Sequence, residues 1–183
     1  DCYKCVRRCP AKAIRVSDGH AKVAPELCVA CGTCVAACPA KAKIIRNDLG
    51  RAKLLLSNGH PVYLSLAPSW VGAFSGVSAA QLAVAARRLG FAGVSETALG
   101  AQEVSAATAA LLRDAAPGVY LSSACPAAVD YVRRFMPLFS AAITPFASPM
   151  LAHAALLRSL YGNAIGIVFA GPCVAKKNES DRH

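Results

Sequence analysis

Blocks of apolar residues separated by short polar turns characterise the chain from residue 60 onward. Apolar runs predict short buried strands at Val62–Leu66, 119–121 and 164–169. Longer segments with helical spacing predict helices over residues 78–89, from 95 or 97 to 115, over Pro126–Phe135 and over 148–161. Pro126 suits a first helical turn, and Gly162 is a typical residue after a helix end. This alternation predicts an α/β domain with a mostly parallel sheet.

Cysteines dominate the first 38 residues, which hold seven of the nine in the chain. The second run is a complete C-x2-C-x2-C-x3-C-P, formed by Cys28, Cys31, Cys34 and Cys38. This is the bacterial iron–sulfur run, in which the fourth cysteine ligates the other cluster. The first run has the same spacing without its leading cysteine, and it consists of Cys2, Cys5 and Cys9, followed by Pro10.

The crossed pattern of the two runs predicts two [4Fe–4S] clusters and their ligands. Cluster one would take Cys2, Cys5, Cys38 and a cysteine that the chain lacks. Cluster two would take Cys9, Cys28, Cys31 and Cys34. A disulfide framework is disfavoured in an Ala- and Val-rich chain that has an intracellular composition. Zinc sites use two cysteine pairs rather than a triplet with a trailing Cys-Pro.

The two runs are an internal repeat, which predicts an α+β, ferredoxin-like two-cluster domain over residues 1–46. Short strands are expected near residues 13–16, 21–23 and 43–46. Residues 47–59 read as a charged connector, helical at 49–56 and ended by Asn58-Gly59. Residues 60–183 would form the following α/β domain.

The net charge of +10 raises the question of nucleic-acid binding. Lys and Arg exceed Asp and Glu by seven within residues 1–59, and each oxidised cube with four thiolates would offset about two of these charges. No basic helix with interleaved aromatic residues occurs, so nucleic acid is not expected as a partner. Residues 61–86 carry no charge but are interrupted by Ser, Pro and Gly, which argues against a membrane span. No signal peptide is visible in the given sequence, and a cytoplasmic location is expected.

Three short motifs follow the three predicted strands. They are Ala67-Pro68-Ser69, Ser122-Ser123-Ala124-Cys125-Pro126, and the segment from Ala170 to Lys177 that contains Gly171-Pro172-Cys173. Ligands of an open parallel sheet bind at the carboxyl ends of the strands. Spacing alone leaves two interpretations open for Cys125 and Cys173. They are either half of a third metal site or two inert buried thiols.

Together, these motifs resemble the active-site motifs of [FeFe] hydrogenases. The similarity rests on Ser-Ala-Cys-Pro at 123–126, Gly-Pro-Cys-x-x-Lys-Lys-x-Glu at 171–179 and Ala-Pro-Ser at 67–69, in this order behind the cluster domain. The resemblance implies a domain that binds the H-cluster, a [4Fe–4S] cube joined to a two-iron subsite with CO, cyanide and a bridging dithiolate.

The resemblance also implies roles for single residues. Cys125 and Cys173 would ligate the cube of the H-cluster, and Lys176 would donate a charge-assisted hydrogen bond to a cyanide. Pro68 and Ser69 would line the two-iron subsite. Glu179 would lie on the proton path. Residue type alone instead predicts that Glu179 is a surface charge and that Lys176 and Lys177 are a solvated pair.

Three departures from the family pattern point to its sensory-type branch. Ala124 stands where catalytic members have a cysteine that passes protons, and Ala cannot do so. Gly171 replaces the usual Met, and Met150 the usual Gln. We therefore expect slow H2 oxidation or H2 sensing, with electrons relayed through the two clusters.

The resemblance places the other two H-cluster cysteines in a later motif, so the chain is expected to be a fragment that is cut at both ends and inactive by itself. An intact H-cluster would require the full-length protein. Expected partners are a redox protein or a downstream signalling domain, with H2 as a small-molecule ligand. Two alternatives remain: a hydrogenase-like protein of iron–sulfur assembly, and a ferredoxin-type electron carrier without H2 chemistry.

Overall fold

The computed structural model describes residues 2–183, which form two compact units. The first unit contains the N-terminal residues through Arg46 together with Val119–Thr144 and Cys173–His183. The second unit contains Asn47–Gly118 and Pro145–Pro172. Each unit is assembled from segments that are distant in sequence. The division into residues 1–46, 47–59 and 60–183 stays a prediction.

The described residues form short helices in the cysteine region and longer helices after it. In chain order the elements are α1 (Lys4–Arg8), β1 (Ile14–Ser17), β2 (His20–Val23), α2 (Thr33–Ala37), α3 (Leu49–Ser57), β3 (Val62–Leu66), α4 (Trp70–Ala73), α5 (Ala79–Arg88), β4 (Gly93–Glu96), α6 (Ala98–Asp114), α7 (Pro126–Phe135), a 3₁₀ helix (Pro137–Ala142), α8 (Pro149–Tyr161), β5 (Gly166–Ala170) and α9 (Ala175–Ser180).

In the first unit, β1 and β2 form an antiparallel hairpin in which Ile14 pairs with Val23. Asp18 and Gly19 make its two-residue turn, and both have positive φ angles, of 53° and 75°. This is the turn that matches the twist of a hairpin, and Asp-Gly is one of the few pairs that adopt it readily. The core beneath the hairpin is small and includes Cys5 and Cys9.

The second unit is built on a parallel sheet with strand order β4-β3-β5. In β3, Leu64 lies opposite Val94 of β4 and Val168 of β5. This arrangement confirms the predicted α/β class with a parallel sheet, and β3 has the predicted bounds. Helix α5 begins with a capping box, because the Ser78 side chain accepts the Gln81 N–H while the Gln81 side chain accepts the Ser78 N–H.

Helices α6 and α8 of the second unit pack closely against each other. A Cβ at Gly100 of α6 would overlap the Pro149 carbonyl oxygen and lie 2.5 Å from the His153 amide nitrogen of α8. Only glycine therefore permits this approach of the two backbones.

Two predicted strands are wrong. Residues 43–46 have no strand conformation, because side chains rather than a ladder hold them: the Lys43 ammonium donates to the Ala21 carbonyl, and Arg46 pairs with Asp181. In residues 119–121, only Leu121 makes a single bridge, to Ile143. Its N–H and carbonyl both bond residues 142–144, so this segment is not part of the parallel sheet.

Strand β4 and the short helices α1, α2, α4 and α9 were not predicted, because each spans six residues or fewer and shows too little periodicity. In the part of the chain that the structure describes, no helix is long and apolar enough to cross a membrane.

Candidate metal centres

The two cysteine runs fold into the same backbone shape, 29 residues apart. Helices α1 and α2 both follow a left-handed residue, Tyr3 with φ 45° in the first and Gly32 with φ 78° in the second. Both helices end at an extended cysteine, Cys9 and Cys38. The internal repeat predicted from the spacing is thus a repeat of conformation.

The turn after each of these cysteines has the sequence Cys-Pro-Ala-Lys-Ala in both runs. Lys12 and Lys41 adopt left-handed φ angles of 50° and 51°. This conformation brings the second alanine N–H back onto the sulfur, at 3.2 Å from Ala13 N to Cys9 Sγ and at 3.3 Å from Ala42 N to Cys38 Sγ. Amide N–H groups aimed at sulfur stabilise thiolates and tune the potential of iron–sulfur clusters.

Cys9, Cys28, Cys31 and Cys34, the four residues predicted for cluster two, all line one cavity of about 310 Å³. Ala13, Ile14 and Val29 contribute apolar walls. Val174, Lys177 and Asn178, which follow Cys173 in the chain, line the same cavity. The structure therefore brings these four cysteines together next to the segment of Cys173.

The electrostatics of the cavity suit metal-bound thiolates. Burial raises the pKa of the Cys34 thiol, and the neighbouring charges of Cys28 and Cys31 raise it further. Three crowded thiolates are unfavourable without a cation, and bound iron would stabilise them. The Cys28 sulfur also accepts the Ala30 N–H at 3.4 Å. Together with the apolar walls, this donor set fits a [4Fe–4S] cube.

The residues predicted for cluster one differ in exposure: Cys2 is exposed, Cys5 is buried and Cys38 is half-buried. Helices α1 and α2, which carry Cys5 and lead to Cys38, pack against each other. The N–H groups of Ala42 and Lys43 lower the pKa of Cys38, because they stabilise its thiolate.

Within residues 2–183, no three His, Cys, Asp or Glu side chains lie close enough to hold one metal ion. The ligands of a cube bind four different irons, so they stand further apart than the ligands of a single ion.

Cys125 and Cys173 both belong to the first unit. Cys125 is exposed and occupies the N-cap of α7, and Cys173 is half-buried two residues before α9. Helices α7 and α9 pack together. Arg182, two residues after the end of α9, forms a bidentate ion pair with Asp130 of α7, at 3.0 and 2.9 Å.

Lys176 and Glu179 lie one turn apart on α9, with Nζ and Oε2 3.6 Å apart. Only 13% of each side chain is exposed. Residue type alone favoured a solvated lysine and a surface glutamate, and the structure instead places both in a mostly buried ion pair.

Pro68 and Ser69 belong to the second unit and are exposed directly after β3. The Ala67 N–H donates to the Ala170 carbonyl at 2.9 Å, so the motifs after β3 and β5 lie at the same sheet edge, as predicted. The motif of Cys125 does not share this edge by strand pairing, because residues 119–121 are not in the sheet.

Sequence reasoning missed three charged residues of the first unit: Asp130, Arg134 and Arg182. The Arg134 guanidinium donates to the backbone carbonyls of Glu26 and Cys28, in the loop that leads into Cys28 (the Cys28 loop). The one available signal was Asp130, a carboxylate flanked by apolar residues from Ala127 to Val132.

The sequence comparisons match two different families to the two parts of the chain. Residues 1–43 match the family of 4Fe–4S dicluster domains, which defines an iron–sulfur protein. Residues 60–183 match the C-terminal domain of the iron-only hydrogenase large subunit. Because this match covers well over half of the chain, the protein belongs to the iron-only hydrogenase large-subunit family, as the resemblance of its motifs predicted. No curated protein is significantly similar in sequence.

Solved structures show the same fold. One similar structure is an [FeFe]-hydrogenase whose oxygen inactivation is initiated by modification and degradation of the 2Fe subcluster of its H cluster. It is 22% identical, with a TM-score of 0.56, and the similarity covers 75% of this chain and 42% of that one. At this identity the likeness shows the fold alone, and this chain spans less than half of the relative's length.

Proposed function

We propose that this chain belongs to a sensory-type [FeFe] hydrogenase, which binds or slowly oxidises H2 and relays electrons through two [4Fe–4S] clusters. The observation that carries this proposal is the single cavity lined by all four cysteines of cluster two and by Val174, Lys177 and Asn178. A cluster bound by these four cysteines would therefore lie next to the segment that begins with Cys173. Electrons need such proximity to pass between a relay cluster and a catalytic site.

The residues of the first unit have distinct proposed roles around the H-cluster. Cys125 and Cys173 are two of the cysteine ligands of the H-cluster. When it is bound, the H-cluster supplies the chemistry of heterolytic H2 cleavage. Lys176 is mostly buried, so its ammonium can donate a strong hydrogen bond to an anionic ligand such as cyanide. Glu179 is 3.6 Å from Lys176 and can hold a proton on the way to solvent.

In the second unit, Pro68 and Ser69 would line the two-iron subsite from the end of β3. Gly171 shapes the same edge of the sheet. A Cβ at this position would lie 2.7 Å from the Ala67 Cβ and 2.6 Å from the Phe169 ring. The side chains of Ala67 and Phe169 thus leave no room at Gly171 for the methionine of catalytic members unless they shift.

The sensory assignment rests mainly on Ala124, whose methyl group can neither hold nor transfer a proton. Together with Gly171 and Met150, it favours slow turnover over rapid catalysis. A downstream signalling domain or a redox protein would then receive the electrons, in the cytoplasm.

Infrared spectroscopy of the full-length, maturated protein under H2 and under CO tests the proposal. We expect cyanide and CO stretching bands that shift between the two gases. Iron–sulfur clusters without any such bands would contradict H2 chemistry. That result would favour the assembly or electron-carrier alternatives, which retain clusters but lack the two-iron subsite.

A further inference from the structure

Arg134 makes an unusual set of hydrogen bonds with the loop that leads into Cys28. Its Nη1 lies 2.9 Å from the carbonyl oxygens of both Glu26 and Cys28, and 3.4 Å from that of Pro25. These residues are more than 100 positions away in sequence. Interaction with the helix dipole would explain a cation in the last turn of α7. It would not explain the three carbonyl partners from another segment.

A buried carboxylate lies beside this arginine. Asp130, one turn earlier on α7, is 9% exposed. Its Oδ2 lies 3.8 Å from Arg134 Nη2, and both its oxygens accept hydrogen bonds from Arg182. One charged network therefore joins the Cys28 loop, helix α7 and the end of α9.

The signs of these charges matter for a cluster bound at Cys28. Reduction adds one negative charge to a cluster, so a nearby cation stabilises the reduced form and a nearby anion destabilises it. The carbonyl oxygens of Pro25, Glu26 and Cys28 are the negative ends of peptide dipoles. Arg134 offsets them at the point where the chain enters the cluster site.

We propose that Arg134 raises the reduction potential of cluster two and fixes the Cys28 loop, and that Asp130 limits this effect by opposing the arginine charge. The inference rests on the ligands of the proposed function and adds a residue that controls electron flow. Arg134 is a positioning residue, because it acts on the cluster through its loop and its field.

Redox titration of the full-length, cluster-loaded protein, followed by electron paramagnetic resonance, measures this effect. In Arg134→Gln we expect the ratio of reduced to oxidised cluster two at a fixed solution potential to fall about tenfold. This change corresponds to ~59 mV for a one-electron couple. Arg134→Lys retains the charge and should stay within about threefold of the wild type, while losing loop stability because the planar fork is gone.

Two further variants separate the field from a general structural effect. Asp130→Asn should shift the ratio in the opposite direction, because it removes a negative charge. Arg133→Gln is the matched control, an equal charge change at the adjacent exposed position, and should leave the ratio unchanged because solvent screens it.

The inference is overturned if Arg134→Gln and Asp130→Asn shift the ratio in the same direction. It is also overturned if Arg134→Gln leaves the ratio unchanged although iron content and the cluster-two signal are intact. A wild-type protein without a cluster-two signal would instead refute the ligand assignment, and with it both proposals.

Discussion

Under the proposed function, Ala124 is the residue whose side chain would limit H2 turnover most directly. It is half-buried next to Cys125, and its N–H donates to the Ser122 hydroxyl at 3.3 Å. The backbone at this point is therefore held by a local hydrogen bond, so a substitution of Ala124 changes mainly the side chain.

Ala124→Cys should raise H2 turnover of the full-length, maturated protein by about 10²-fold, the lower range for a positioned acid–base group. The assay is H2 oxidation with an artificial electron acceptor. Ala124→Ser is the control and should change little, because a hydroxyl does not ionise near neutral pH. Unchanged turnover in the Cys variant, with intact infrared bands, would contradict a proton-transfer deficit.

His153 is the clearest buried polar residue of the second unit, with 0% exposure. Its Nδ1 and Nε2 lie 2.8 and 2.9 Å from the hydroxyls of Ser65 and Ser95, and Ser65 also bonds Thr97 at 2.9 Å. Hydroxyls donate or accept, so they satisfy either tautomer of a neutral imidazole. Burial lowers the pKa of His153 below its ordinary value of 6.5.

This lowered pKa predicts a pH-dependent stability. The unfolded chain binds a proton at His153 before the folded chain does, so the contribution of His153 is complete above pH 6.5 and is lost as the pH falls. The loss is at most about 1.4 kcal/mol per pH unit. Urea unfolding at pH 7.5 and 5.0 should show it in the wild type.

His153→Gln is the comparison for that experiment. We expect the variant to be less stable at pH 7.5 by about 1–3 kcal/mol, because the hydroxyls of Ser65 and Ser95 lose their hydrogen bonds to the imidazole. Its free energy of unfolding should also fall less between pH 7.5 and 5.0. An equal fall in both proteins would show that other groups cause the pH dependence.

At the scale of elements, the contact of α6 with α8 depends on one glycine. Gly100→Ala should lower the free energy of unfolding by about 1–3 kcal/mol, because the added methyl group must push two backbones apart. Thermal or urea unfolding of the full chain measures the loss.

Gly50→Ala in α3 is the matched control, since a Cβ there meets nothing within 4 Å. We expect it to stabilise the protein by about 0.5–1 kcal/mol, because alanine restricts the unfolded chain and favours helix. Equal destabilisation by both substitutions would contradict the close approach at Gly100.

The elements also show how far local pattern reaches. Strand β3 and helix α7 have the predicted bounds, because an apolar run and a Cys-Pro helix start are local signals. Residues 43–46 contain two adjacent isoleucines but have no partner strand, so they remain irregular. Strand β4, with the sequence Gly-Val-Ser-Glu, exists because β3 offers it a pairing edge.

At the scale of the whole molecule, the two units have separate cores of different kinds. The first core consists of cysteines and small residues around Ala13, Ile14 and Val29. The second consists of β3 and the helices beside it, with Val62 and Leu157 almost fully buried. Because the first core is small, we expect its stability to depend on bound metal.

Removal of iron with a chelator should therefore loosen the first unit more than the second. Hydrogen exchange at the level of peptides measures this, and the second unit serves as the internal control. We expect protection to fall in residues 20–46 and to persist in β3 and α8. Loss of protection at the same rate in both units would contradict independent cores.

The sequence by itself determined the cysteine spacing, the repeat, the parallel sheet and the family, because each of these is carried by residue types at short separations. Tertiary structure decided which distant charges meet. Arg134 contacts the Cys28 loop across more than 100 residues, and Lys176 and Glu179 are mostly buried rather than solvated. Such contacts depend on how helices and loops pack in space, and the spacing of residues along the chain does not predict that packing.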